Sequence, residues 1–196
     1  MNHVCIVVIG RFKMSEELYD LIYSDPPWKQ TKGGLRKVRP NQNKELDYNT
    51  MPIENIFELH QKIPVNDNHI VFMWTIDKFL PETELYMKNL GYKLHARIIW
   101  DKTNGIAPAF TIRYSHEYLL WFYKGKFISI ETTQRGKYTT IIREKATKHS
   151  KKPIAAYEMI ESMYPNLKKL EMFARSNRYG WDAFGNEVEN SIDLSD

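Results

Sequence analysis

The chain has 196 residues, of which 42% are hydrophobic and 27% are charged. These values are typical of one compact globular domain and exclude a disordered or fibrous chain. Cys5 is the only cysteine, which excludes a disulfide framework and a zinc site built from several thiolates. No apolar run approaches the ~20 residues that a membrane span requires. We therefore expect a cytoplasmic protein with no membrane partner.

The net charge of +4 is unevenly distributed along the chain. Residues 29–44 contain six Lys or Arg and no acid, and residues 135–152 contain seven with a single acid, Glu144. The last fifteen residues contain five acids and neither Lys nor Arg. Two basic segments in an otherwise acidic chain favour a polyanionic partner, and two solvated loops are the alternative.

Short apolar segments bounded by turn residues predict strands at 4–9 and 21–23. The second ends where Pro26 and Pro27 begin, because proline has no amide hydrogen to donate to a ladder. Further segments predict strands at 69–75, 94–100, 118–123, 170–174 and 185–188.

Helical patterns alternate with these strands. The first follows Pro52 over 53–62, the second is closed by Gly91 over 82–90, and the third begins at Pro153 and ends near 164. Segments 29–50, 101–115 and 129–150 predict loops, and 190–196 predicts an acidic tail. The alternation predicts one α/β domain over 1–196 with a mainly parallel sheet.

The sharpest motif is Asp25-Pro26-Pro27-Trp28, where a carboxylate follows an apolar strand. Ligands of open α/β sheets bind in the crevice outside such strand ends. A carboxylate, an outward carbonyl at Pro26 and a flat aromatic ring suit an exocyclic amine on a planar heterocycle. A proline turn with a capping Asp and a packing Trp is the alternative interpretation.

Together with later segments, this motif resembles the MT-A70 family, which includes the catalytic subunit of the eukaryotic mRNA adenine-N(6) methyltransferase. The resemblance extends from about residue 20 to 189 and keeps the family's motif order. The segments that carry it are Tyr48-Asn49-Thr50-Met51, Ile99-Trp100-Asp101-Lys102-Thr103-Asn104, Arg113-Tyr114-Ser115-His116-Glu117, Lys152-Pro153, Leu170-Glu171-Met172-Phe173-Ala174-Arg175, Gly180-Trp181 and Gly185-Asn186-Glu187.

The resemblance implies a Rossmann-like methyltransferase fold with circularly permuted motif order and S-adenosylmethionine as methyl donor. It places Glu171 and Arg175 at the donor ribose and Lys152 at the donor's methionine carboxylate. The remaining donor-binding candidates are Phe173, Asn177, Asn186 and Glu187. The acid that relatives carry upstream of the catalytic strand has no counterpart in residues 4–10.

For the substrate, the resemblance implies that Asp25 and the carbonyl of Pro26 accept the hydrogens of an adenine amine, with Pro27 holding the turn. Trp28 and Tyr48 would hold the base. Further substrate-binding candidates are Trp100, Lys102, Asn104 and Arg113, and the phosphate-binding candidates are Lys32, Arg36, Lys37 and Arg39. The six histidines show no metal-ligand spacing, and methyl transfer needs no metal.

We therefore expect an enzyme that methylates the N(6) amine of adenine in DNA, with the base flipped out or single-stranded. The same reaction on RNA and a catalytically silent nucleic-acid-binding partner subunit are the alternatives. The intact Asp25-Pro26-Pro27-Trp28 motif argues against the silent subunit. The resemblance also implies a partner chain, in a homodimer or a heterodimer, because relatives often pair.

Overall fold

The computed structural model describes residues 18–29, 50–105, 112–147 and 151–195. Seven strands and three helices follow one another along these ranges. The strands are β1 (Tyr19–Ser24), β2 (Val65–Thr75), β3 (Lys93–Asp101), β4 (His116–Lys124), β5 (Ile141–Arg143), β6 (Lys169–Met172) and β7 (Asp182–Phe184). The helices are α1 (Ile53–Lys62), α2 (Leu80–Asn89) and α3 (Ile154–Met163). The strand predicted at 4–9 lies outside the described residues.

All seven strands join one sheet in the order β5-β3-β4-β2-β1-β6-β7. β4 pairs antiparallel with both of its neighbours, and the other described pairs are parallel. The predicted mainly parallel α/β sheet of a Rossmann-like methyltransferase is therefore confirmed. The chain leaves β1 for β2 on one side, and β6 lies on the other side. This arrangement makes the β1–β6 boundary a switch point, where open α/β sheets bind ligands.

Each face of the sheet is covered by helices. Successive side chains of a strand point to opposite faces, so Tyr23 packs into the cluster beneath α3 and Ile22 packs into the cluster beneath α1 and α2. Both side chains are at most 1% exposed. Burial of a large apolar side chain stabilises the fold by about 1.5–3 kcal/mol, which fixes the carboxyl end of β1 from both faces.

Two predictions about the later strands were wrong. Segment 129–150, predicted as a loop, contains the edge strand β5, which pairs with β3 and buries Ile142. The strand predicted at 185–188 lies earlier, as β7. Gly185 follows β7 where its backbone lies close to that of Ala174. A Cβ on Gly185 would lie 2.1 Å from the carbonyl oxygen of Ala174.

The predicted acidic tail packs against the domain as far as it is described. The amide of Ser191 donates to the carbonyl of Ala183 at 2.8 Å, and Leu194 is 5% exposed within the α1–α2 cluster. Within the described ranges, no helix is both long enough and apolar enough to cross a bilayer.

Candidate active site

The Asp25-Pro26-Pro27-Trp28 turn leaves the sheet at the carboxyl end of β1. The amide of Trp28 donates to the carbonyl of Pro26 at 2.9 Å, and the amide of Met51 donates to the carbonyl of Pro27 at 2.8 Å. The proline rings fix φ at two successive positions. The carboxylate of Asp25, whose side chain is 25% exposed, is therefore held in a defined direction.

A cleft at this edge of the sheet collects the ends of several elements. β1, β2 and β6 end here, and the antiparallel β4 begins here. The lining residues are Asp25, Pro26, Pro27, Trp28, Trp74, Thr75, Ile76, Glu117, Lys152 and Arg175. Six of the ten were predicted as site residues, and the three from the end of β2 and the one from β4 were not.

Lys152 joins two acidic side chains at the floor of the cleft. Its Nζ lies 2.8 Å from Oδ1 of Asp25 and 3.0 Å from Oε2 of Glu117. The other carboxylate oxygen of Glu117 accepts a hydrogen bond from Lys102. The ammonium of Lys152 also lies 5.5 Å from the ring centroid of Trp74, within cation–π range. From the cleft outward, negative and positive side chains therefore alternate in the order Asp25, Lys152, Glu117 and Lys102.

The protonation of this network is set by burial and pairing. Burial raises the pKa of the Asp25 carboxyl above its ordinary value, although the nearby Lys152 ammonium opposes the rise. Burial would also raise the pKa of Glu117, but Lys152 and Lys102 outweigh it and hold that pKa below its usual range. Burial acts to lower the pKa of Lys152, and the two carboxylates reverse this effect and raise it.

Two tryptophans predicted at the substrate are largely covered. Trp28 is 5% exposed and stacks on Phe79, with ring centroids 5.3 Å apart and planes 18° apart. One face of its ring is therefore occupied, and its indole nitrogen donates to the carbonyl of Trp74. Trp100 is 2% exposed and does not line the cleft. It supports the site from within the core.

The carboxyl end of β6 carries the predicted donor-binding residues. Glu171 pairs in register with Tyr23 of β1, and its Oε1 accepts the hydroxyl of Tyr157 at 2.7 Å. Burial raises the pKa of Glu171. A carboxylate has about four acceptor positions, and Tyr157 uses one of them. Glu171 can therefore accept further hydrogen bonds from the hydroxyl groups of a ribose.

The turn after β6 is constrained in two ways. Phe173 has a φ of 60°, a left-handed conformation that is uncommon for an aromatic residue. The amide of Ala174 donates to the carbonyl of Phe184 at 3.0 Å, with Gly185 packed against the backbone of Ala174. Such strain persists only where the surrounding structure over-determines it, and it is common at ligand sites.

The other predicted donor residues lie near this turn. Arg175 lines the cleft, and its Nε is 3.9 Å from Oε1 of Glu187. Asn186 is exposed at the surface. Asn177 lies in a separate groove with Trp181. The roles of all these side chains toward the donor stay predictions.

The predicted substrate residues are only partly described. Lys102 points inward to Glu117, whereas Arg113 is exposed and donates to the carbonyl of Gly105 at 3.3 Å. Asn104 is partly exposed. The predictions for Tyr48, Lys32, Arg36, Lys37 and Arg39 lie outside the described residues.

Two acidic residues of the site were missed by sequence reasoning. Glu117 belongs to a segment that resembles the family, but the resemblance alone gives it no role. Glu144, the single acid of the second basic segment, accepts the amides of Ile154 and Ala155 at 3.0 Å each. It thereby caps the N-terminus of α3, where negative charge is favourable, and anchors the chain next to Lys152.

Comparison with known proteins identifies the family. The MT-A70 family model matches residues 19–187. The chain belongs to the MT-A70 family. The predicted family is thus confirmed, and so is the prediction that the chain is a methyltransferase. The matched range contains every described residue of the cleft.

Similar proteins come from bacteria and eukaryotes. The type II methyltransferase M.MunI from Mycoplasma is 28% identical, and the alignment covers 93% of this chain and 83% of M.MunI. A putative N(6)-adenosine-methyltransferase MT-A70-like protein of Medicago truncatula is 27% identical over 87% of this chain. The human N(6)-adenosine-methyltransferase catalytic subunit METTL3 is 25% identical over 96% of this chain. This MT-A70 chain spans only 26% and 30% of those two relatives.

Proposed function

We propose that this MT-A70 methyltransferase transfers a methyl group from S-adenosylmethionine to the N(6) amine of adenine in DNA. This proposal rests on the position of the Asp25 carboxylate. A rigid turn holds it at the cleft, and Lys152 binds it at 2.8 Å. The names of the relatives support adenine as the base, since several are N(6)-adenosine methyltransferases.

The chemistry follows from the weak nucleophilicity of the adenine amine, whose lone pair is conjugated into the ring. The carboxylate of Asp25 and the carbonyl of Pro26 would accept its two hydrogens. Acceptors fixed where charge develops stabilise the transition state without reorganisation. The carbonyl of Pro26 already accepts the amide of Trp28, and its second lone pair serves the substrate. Lys152 favours the ionised form of Asp25 against the effect of burial, and it orients the carboxylate.

The donor supplies a methyl group on a sulfonium, which carries its own leaving group. Glu171 and Arg175 would hold the donor at the β1–β6 boundary, because one offers acceptors for ribose hydroxyls and the other is cationic. A donor held by these two residues would lie next to Asp25, because β1 and β6 are neighbouring strands. The amine nitrogen would gain the methyl as the sulfur–carbon bond breaks, the sulfur would keep the bonding electron pair as a neutral thioether, and the nitrogen would release one proton to solvent. Alignment of the two reactants supplies much of the rate enhancement.

One observation supports DNA as the substrate. The alignment with the type II methyltransferase M.MunI covers 83% of that enzyme, and we take its substrate class, DNA, for this chain. The N(6)-adenosine-methyltransferase relatives align with 87% and 96% of this chain. RNA is the second candidate, because the same cleft residues lie in the region that matches those enzymes. An adenine within a duplex must be flipped out to reach the cleft.

The test compares single- and double-stranded DNA and RNA of equal sequence as substrates for the purified chain. Methylated nucleosides are identified by mass spectrometry after digestion. We expect N(6)-methyladenine in DNA, and Asp25→Asn should lower kcat by about 100-fold or more while donor binding persists. Asp67→Asn is the matched control, since Asp67 is exposed near the opposite edge of the sheet.

Each other outcome has a definite meaning. Transfer to RNA alone would replace DNA with the second candidate. Donor binding without any transfer would indicate the silent partner subunit. An Asp25→Asn variant that keeps more than about a tenth of the wild-type rate, a loss below about 1.4 kcal/mol, would refute the role of Asp25.

A further inference from the structure

Lys102 lies directly after β3 and points toward the cleft instead of toward solvent. Its Nζ is 2.5 Å from Oε1 of Glu117, and it also lies 5.2 Å from the ring centroid of Trp100. Only 22% of the side chain is exposed. The buried Trp100 therefore forms the inner wall against which the ammonium of Lys102 rests.

The backbone of Lys102 is fixed on both sides. Its amide donates to the carbonyl of Ser115 at 3.0 Å, and its carbonyl accepts the amide of Ala146 at 3.2 Å. The next residue, Thr103, has a φ of 47°, and its amide donates to Oδ1 of Asp101. These contacts turn the chain away after Lys102 and hold its side chain inward.

The two carboxylate oxygens of Glu117 are divided between two lysines. Oε1 binds Lys102, and Oε2 lies 3.0 Å from Lys152, which in turn binds Asp25. The four formal charges sum to zero. Without Lys102, Glu117 and Asp25 would share the single ammonium of Lys152. The attraction of Glu117, whose side chain is 12% exposed, would then draw Lys152 away from Asp25.

We propose that Lys102 is a positioning residue, which orients Glu117 and through it holds Lys152 on the carboxylate of Asp25. This inference rests on the proposed function and differs from the phosphate or base contact that the position of Lys102 in a substrate loop suggests. A phosphate contact contributes to nucleic-acid affinity and to its salt dependence. A positioning residue contributes to the chemical step.

The test replaces Lys102 with Met and compares it with Lys88→Met, which removes an exposed lysine of α2. For each variant we measure kcat, KM for a DNA substrate, and Kd for that DNA over a range of salt concentrations. Lys102→Met should lower kcat by about 10- to 100-fold, because small misplacements of reacting groups have effects of that size. Its KM, Kd and salt slope should equal those of the wild type, and Lys88→Met should match the wild type throughout.

A second variant distinguishes loss of the positive charge from loss of the fold as the cause of a lower kcat. Lys102→Arg keeps the charge beside Glu117, so it should retain the wild-type melting temperature and recover most of the lost kcat. An unchanged kcat in Lys102→Met would overturn the inference, and so would a weaker Kd with a flatter salt slope. Failure of the proposed function would show instead as a wild-type protein that methylates no adenine.

Discussion

His60 lies in the last turn of α1, directly behind the catalytic turn. Its Nε2 is 2.9 Å from the hydroxyl oxygen of Ser24, the residue before Asp25. Its ring centroid lies 6.3 Å from those of both Phe57 and Phe173. Burial among these groups lowers the pKa of His60 to about 4, because an imidazolium would lose its hydration there. Acidification should therefore destabilise the fold through this residue.

The magnitude follows from the difference between the folded and unfolded states. His60 titrates near 6.5 in the unfolded chain and at about 4 in the folded one, so the unfolded state binds more protons between these values. The contribution of neutral His60 to the free energy of unfolding is therefore fully present above about pH 6.5. It decreases as the pH falls toward 4. The loss reaches at most about 3 kcal/mol. For a domain of this size, it corresponds to a fall in Tm of about 6–12 °C.

The assay is urea unfolding of the wild type, His60→Gln and Ser24→Ala at a series of pH values from 4 to 8. Burial lowers the pKa of His69 and His95 as well, so the wild type alone does not isolate His60. His60→Gln keeps a polar partner for Ser24 and removes the titration. Its free energy of unfolding should fall less steeply than that of the wild type below pH 6.5.

Ser24→Ala is the matched control for the hydrogen bond. It should lower the free energy of unfolding by about 1 kcal/mol at every pH. Its pH slope should equal that of the wild type, because burial of His60 and not this hydrogen bond causes the shift. Identical slopes for His60→Gln and the wild type would refute the reasoning.

Two further predictions concern the walls of the site. Gly185→Ala should lower the Tm and weaken donor binding measured by calorimetry, since its Cβ would meet the carbonyl oxygen of Ala174 at 2.1 Å; unchanged donor binding would contradict this. Glu144→Ala should cost about 1 kcal/mol in urea unfolding, because the amides of α3 at Ile154 and Ala155 lose their acceptor. The same variant should also lower kcat by displacing Lys152, whereas an unaltered kcat would show that the cap does not position that lysine.

Much of the fold could be predicted because its signals are local. Pro52 and Pro153 mark the starts of α1 and α3, and the carboxyl-terminal parts of β1 and β2 contain continuous apolar runs. β5 could not be predicted, since a three-residue strand with one buried side chain, Ile142, has no periodicity of its own. The sequence prediction places this strand at 185–188 and includes Gly185, whereas Gly185 follows β7 at a close approach to the backbone of Ala174.

Only some residues of the site could be predicted from the sequence, and these were the residues within family motifs. Asp25, Lys152 and Arg175 carry motifs that resemble the family, and the structure brings all three to one cleft. The contacts between them could not be predicted, because pairing depends on the separation of side chains that lie far apart in sequence. The resemblance places Lys152 at the donor, whereas its 2.8 Å contact with Asp25 is visible only in the structure.

Glu117 shows how strand direction decides which residues reach the cleft. β4 has nine residues, so at about 3.3 Å per residue its two ends lie about 26 Å apart. Were β4 parallel to its neighbours, Glu117 would lie at the opposite edge of the sheet, far from Lys152. The sequence did contain a signal for the reversal. Parallel neighbours require a long crossover, usually a helix, and residues 101–115 show no helical pattern. That absence predicts an antiparallel return from β3 into β4, and with it an acid at the active-site edge.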